Sequence, residues 1–169
     1  MKYYFKENFR LMYADGQLYG PHDEVVYKYE NMTLFLPQVN LYKYGKKVGH
    51  IKKNFTLFLR SYDIFIDDVF VDSLDQELTF FHPELSLRKL GWTVKGDFFA
   101  WDYEIINERG RVIADVNQEI FHLTKHYCID IHDESNEELI VLVILAINQF
   151  DKDRDSSASL GAHSSNNRH

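Results

Sequence analysis

Six basic side chains, Lys43, Lys46, Lys47, Lys52, Lys53 and Arg60, fall in a stretch with no Asp or Glu from Asn31 to Tyr62. Tyr42, Phe55 and Phe58 are interleaved with them. Cations beside aromatic rings suit anionic headgroups, with the rings at the interface, and each Lys or Arg near an anionic membrane contributes about 1 kcal/mol. The competing role is structural: lysines along a hairpin keep exposed strands soluble and unpaired. His126, Cys128, Asp130 and His132, with His122 close by, are donor types that bind transition metals. Alternate residues of a strand share one face, but ligands two apart must splay to converge on one ion. Neither a CxxC nor an HExxH spacing occurs. With Tyr127, Ile129 and Ile131 on the core row, these four read as an outer face, and no metal site is assigned. Asp97, Asp102 and Glu104 have the chemistry of an acid and base for glycoside hydrolysis. Asp102 and Glu104 point the same way, however, and nothing nearby would drive their pKa values apart. Pairing with Lys95, Arg109 or Arg111, or capping a turn, is the simpler role. No catalytic residue is assigned, and phosphate-loop, dinucleotide-glycine and GxSxG motifs do not occur.

The elements that position these residues are mostly strands. Short β-type segments run from residues 2–6 through 10–14, a 34–44 stretch broken near Pro37, and on to 126–131, with turn chemistry between them at Asp15-Gly16, Gly45, Asp67-Asp68 and Arg109-Gly110. The pattern changes at Glu138. Residues 139–147 contain no polar side chain, whereas a surface helix would show one wet face. This helix has to be covered on every side. Ser135 or Asn136 caps it, and Glu137 and Glu138 sit favourably in its first turn. The reading is an all-β chain of about twelve strands closed as a barrel around a buried hydrophobic C-terminal helix. Residues 1–150 form the domain. Residues 151–169 are too poor in apolar side chains to offset their ordering entropy and are expected to be a disordered polar tail.

An internal repeat sharpens this picture. Val48, Ile51, Phe55, Phe58, Tyr62 and Ile64 align with Val71, Leu74, Leu78, Phe81, Leu85 and Leu87, and again with Ile113, Val116, Ile120, Leu123, Tyr127 and Ile129. Every aligned position is apolar in a chain that is 45% hydrophobic, so chance is a poor explanation. Each copy reads as a strand, a connection and a second strand. The first two positions lie three apart, which breaks the period of two expected of a strand. A β-bulge would account for it.

The segment Gly96-Asp97-Phe98-Phe99-Ala100-Trp101-Asp102-Tyr103-Glu104-Ile105, before the Arg109-Gly110 turn, resembles the LURP-one-related (YxjI-like) family. The close of the chain is similar too: Asp130-Ile131-His132-Asp133, an acidic cap and the apolar helix. The N-terminal part departs from the usual pattern at Tyr19-Gly20-Pro21-His22-Asp23. The resemblance implies a tubby-like fold, in which twelve strands close around a hydrophobic helix. Tubby domains bind phosphoinositides, but that analogy lies at the level of fold and transfers no residues here.

Charge and composition bound the rest. Aromatics make up 15% of the 169 residues, which favours strands. A formal charge of −7 speaks against a nucleic-acid binder. One cysteine and an N-terminus without a signal-like apolar run point to a cytoplasmic protein. The apolar stretch of about a dozen residues is short of the roughly 20 that span a bilayer. The expectation is a non-enzymatic binding module without a cofactor, peripheral to a membrane through anionic lipid. The alternative is an interaction or regulatory scaffold for an unknown protein partner.

Overall fold

The computed structural model describes residues 1–5, 15–32, 37–55, 60–77, 84–121 and 124–163. Side chains at 55, 60, 77, 119–121, 124–126 and beyond Phe150 lie outside that description. Twelve strands are present: β1 (Lys2–Phe5), β2 (Gly16–Tyr19), β3 (Val25–Met32), β4 (Gln38–Lys43), β5 (Lys46–Phe55), β6 (Arg60–Ile66), β7 (Val69–Glu77), β8 (Glu84–Leu87), β9 (Trp92–Asp97), β10 (Asp102–Ile106), β11 (Val112–Phe121) and β12 (Thr124–Ile131). Each pairs with its sequence neighbours and β1 pairs with β12, so the sheet is a closed up-and-down barrel. Closure leaves no strand edge exposed to another chain. The strand read at residues 10–14 lies outside the described residues. The second strand of the barrel is β2, whose single fully buried side chain, Leu18, gives it little sequence signal.

All the connections from an even strand to the next odd one lie at one end of the barrel, and β12 finishes there too. A 3-10 turn at Glu134–Asn136 then leads into α1 (Glu137–His163). The capping side chain of that turn is Asp133, not Ser135 or Asn136: its carboxylate accepts from the Ser135 amide at 3.2 Å and from Asn136 Nδ2 at 2.8 Å. The extra 3-10 turn moves the cap back by two residues, while Glu137 and Glu138 remain in the first turn of α1. As backbone, α1 runs past the boundary that composition marks at Phe150; residues 164–169 lie outside the described residues.

Every side chain from Leu139 to Ile147 is buried. The helix is off-centre, lying nearest β5, β6 and β7. Gly49 on β5 makes this possible, because a Cβ there would stand 2.4 Å from the Phe65 carbonyl oxygen and 2.7 Å from Leu142 Cδ1. Aliphatic Ile51, Ile64 and Leu74 face the helix on that side, whereas the rings of Tyr3, Phe5, Tyr27, Tyr29 and Tyr127 lie across the barrel.

The three-residue spacing in the repeat is a bulge in all three copies. Leu41 pairs Gly49 and Tyr42 pairs Lys47, which leaves Val48 as the extra residue. Likewise Val71 is skipped between the Ile64–Asp72 and Phe65–Phe70 pairs, and Ile113 between Ile105–Ala114 and Ile106–Val112. Val26 is skipped in the same way on β3. A bulge lets consecutive residues of one strand contribute to the core and bends the strand. Val26, Val48 and Ile113 are buried and Val71 packs against the core, so this end of the barrel narrows around the start of the helix. Of the repeat's described side chains, all the others are core residues.

Leu142→Ala should lower stability by about 2–5 kcal/mol through the cavity it leaves. Val143→Asp, a buried charge without a partner, should abolish the cooperative thermal transition seen by circular dichroism. Parent-like melting of Val143→Asp would contradict the central position of the helix.

Candidate functional site

Among the described residues, the geometry of three polar constellations separates structural from available groups. The first lies at the start of α1. Glu137 is buried, and its Oε1 accepts from Tyr3 Oη at 2.7 Å, from Tyr27 Oη, and from Lys43 Nζ at 3.0 Å. Lys43 Nζ also reaches Glu138 Oε1 at 3.5 Å and stands 5.4 Å over the Tyr27 ring. β1, β3 and β4 thus each send one side chain to the first turn of the helix. Burial alone would raise the Glu137 pKa, but hydrogen bonds from Tyr27, Tyr3 and Lys43 outweigh it and hold the carboxyl below its ordinary value. Burial likewise opposes the charge on Lys43, yet Glu137 and Glu138 raise its pKa overall. Burial, reinforced by Glu137, pushes the Tyr3 and Tyr27 hydroxyls far up, so both remain neutral donors. A buried carboxylate with three donors and a lowered pKa is a structural anchor and is poorly suited to general acid–base work near neutrality.

The second is the basic hairpin. Its cations do not share one face. Lys43 is turned to the helix as above. Lys53 pairs in register with the core residue Tyr62 and so belongs to the inward row near the opposite end. Lys52 stands on the other row, opposite Asp63. Lys47 Nζ meets Asp68 Oδ1 at 2.8 Å, and His50 Nδ1 lies 3.4 Å from the same oxygen. The Lys47 ammonium lowers the Asp68 pKa, while burial and then Lys47 lower that of His50. Lys46 is exposed and has no ion pair among the described residues. The side chain of Arg60 is outside them. Lys46 and Lys47 therefore form the accessible part of the cluster, at the hairpin turn.

The third is a groove of about 330 Å³ on the outer face of β9–β11, lined by Lys95, Asp102, Glu104, Asp115 and Asn117. Glu104 is in register with Lys95 on one side and Asp115 on the other, and Asp115 with Asp130. Lys2 lies 3.5 Å from Asp130, and His132 Nε2 contacts Asp115 Oδ2. Asp97 caps the β9–β10 turn, accepting from the Phe99 amide at 3.1 Å and the Ala100 amide at 3.0 Å. Cys128 sits on the outward row with Asp130, but it is buried. His122 and the side chain of His126 lie outside the described residues. Trp92 and Trp101 are both packed in the barrel.

Reasoning from sequence missed the helix-start cluster. Its members are separated by as much as 134 residues, and only the closed topology brings them together. The signal that existed was a Tyr on an inward row in each of β1 and β3. Among the described residues no helix is long and apolar enough to cross a membrane.

A family model described as LURP-one-related matches residues 1–148. The match covers every strand and most of the buried part of the helix, so the chain belongs to that family. No curated protein and no solved structure matches the chain.

The depressed Glu137 pKa fixes the sign of a pH effect. Its contribution to stability is full above the ordinary glutamate value of 4.5 and is lost as pH falls through the lower folded-state value. Glu137→Gln should cost about 1–3 kcal/mol at neutral pH. It should also flatten the acid limb of a plot of denaturation midpoint against pH.

Proposed function

For a member of this family we propose a non-enzymatic binding module that docks on an anionic lipid surface, as a peripheral protein of the cytoplasm. The basic hairpin supplies the charge through Lys46 at its exposed turn and Lys47 and Lys52 on the outer row, whereas Lys43 is engaged by Glu137, Lys53 stands on the inward row and the side chain of Arg60 lies outside the described residues. The observation that carries the reading is the carboxylate-free run from Asn31 to Tyr62 in a chain of charge −7, with Lys46 exposed at its turn and without an ion pair among the described residues. The other ionisable clusters favour it by elimination. Glu137 is held by Tyr3, Tyr27 and Lys43, and Asp97 is engaged by the turn it caps. At about 1 kcal/mol per cation near an anionic surface, three or four lysines give weak, salt-sensitive attachment.

Sedimentation with phosphatidylserine-containing vesicles at low salt should recover the protein. Charge reversal at Lys46 combined with Lys47→Gln and Lys52→Gln should abolish recovery, and Lys46→Glu alone should weaken it while leaving the melting curve unchanged. Failure of the parent protein to sediment with anionic vesicles would end this reading. Recovery of a defined protein partner under the same conditions would replace it with the scaffold role.

A further inference from the structure

Among the described residues, three of the five exposed large apolar side chains lie at two adjacent hairpin tips, the other two being Met1 and Met32. Tyr44 is 73% exposed at the β4–β5 tip, and Val69 and Phe70 are 67% and 40% exposed beside the β6–β7 tip. Pairing of β5 with β6 makes the tips neighbours, and the Lys47–Asp68 contact ties one to the other. Both turns are tight. Tyr44 (φ 48) precedes Gly45 (φ 83), and Asp67 and Asp68 have φ 48 and 62. Two-residue turns of this kind favour Asn, Asp or Gly at the first position, where φ is positive. The β6–β7 turn follows that chemistry. The β4–β5 turn instead holds a bulky tyrosine in the left-handed region with its ring in solvent, an arrangement costly to backbone and solvation alike.

Cations surround this ridge. Lys46 and Lys47 follow Tyr44 and Gly45 in the chain, and Lys89 Nζ sits 4.2 Å over the Phe70 ring. Phe70 packs on Phe65 at 5.7 Å between centroids, and Phe65 stacks on His50 at 4.4 Å. These rings form a rigid stack behind the tips. Two carboxylates stand at the tips, Asp67 and Asp68, and Asp68 is already matched by Lys47. Apolar side chains projecting beyond a ring of ammonium groups match the layering of an anionic bilayer, with acyl chains beneath phosphates.

We propose that Tyr44, Val69 and Phe70 are apolar anchors that enter the interfacial layer of an anionic membrane, while Lys46, Lys47 and Lys89 meet its phosphates. The inference deepens the membrane reading above and rests on it. It adds residues that carry no charge and assigns an orientation, with the β4–β5 and β6–β7 tips facing the lipid.

The test uses Val69→Trp in the full chain as a reporter, since the native Trp92 and Trp101 are buried. On mixed phosphatidylcholine–phosphatidylserine vesicles, emission of the reporter should shift to the blue and be quenched by lipids brominated on the acyl chain. Tyr44→Asn combined with Phe70→Ser should weaken vesicle binding about tenfold or more at physiological salt. Tyr44→Asn alone should melt no lower than the parent, because Asn suits the turn, yet should bind vesicles less well. Bound protein whose reporter stays unquenched would overturn the anchors and leave electrostatic docking standing. Absence of any vesicle binding by the parent would remove both. Unchanged vesicle affinity of the double variant would also overturn the anchors, and loss of a co-purified protein at the same time would assign the ridge to that partner.

Discussion

A helix whose side chains are all apolar from residue 139 to 147 has to be walled on every side, and nearly everything else in the molecule answers that requirement. An open sheet would cover one face and leave the other in water. The twelve-stranded closure covers all of it, and it removes the free edges that a sheet of this length would otherwise expose. Among the described residues the helix is the one element inside the hollow of the barrel, and the strands bury their inward rows against it. Sheet and helix each supply the other's core, and burial of a Leu or Ile in this setting contributes about 1.5–3 kcal/mol.

That mutual dependence sets the local chemistry. A helix nearer to β5–β7 needs small or aliphatic neighbours there, and Gly49 is where its Leu142 comes closest. The wider gap opposite is filled by rings. The same eccentric placement leaves room for Tyr3 and Tyr27 to reach Glu137, an acidic side chain placed where the helix dipole favours negative charge. Lys43 then neutralises a carboxylate that would otherwise be buried alone. Among the described residues, the Tyr103 hydroxyl, Asn148 Nδ2 and Gln149 Nε2 have no hydrogen-bond partner, and the polar anchoring of the helix lies at its start.

Much of this was legible in the residues. The wet-face argument placed the helix, and the threefold repeat placed three hairpins together with the bulges at Val48, Val71 and Ile113. Those features are local, encoded by periodicity within a few residues of one another. The polar details were not local. Alternation along β5 looks regular in the sequence, but the bulge at Val48 shifts its phase, so counting by twos from Lys46 misassigns the row on which the later lysines stand. Charge counting grouped Lys43 with Lys46 and Lys47, whereas its partner lies 94 positions away on the helix. Asp133 displaced Ser135 as the cap because a 3-10 turn, which leaves no periodic signature, precedes α1. Exposure of Tyr44 and Phe70 was equally hidden, since hydrophobic residues in a strand-rich chain are read first as core.

Closure also constrains where a ligand could bind. In open barrels the hollow is the usual pocket, and side chains of the inward rows select what enters. Here the helix occupies that hollow and its flanking rows are packed against it, so recognition has to take place on the outer wall or at the rims. The outer wall over β9–β12 is a ladder of carboxylates matched by Lys2, Lys95 and His132, which is what a solvated face of an acidic protein requires. The rim where α1 begins differs in kind. It combines Lys46, which has no ion pair among the described residues, a tyrosine held at positive φ and the exposed Phe70 ring packed on Phe65, none of which the fold needs for closure. Features that cost stability and contribute nothing to the core are the ones that function has to explain, and on this molecule they converge on that rim.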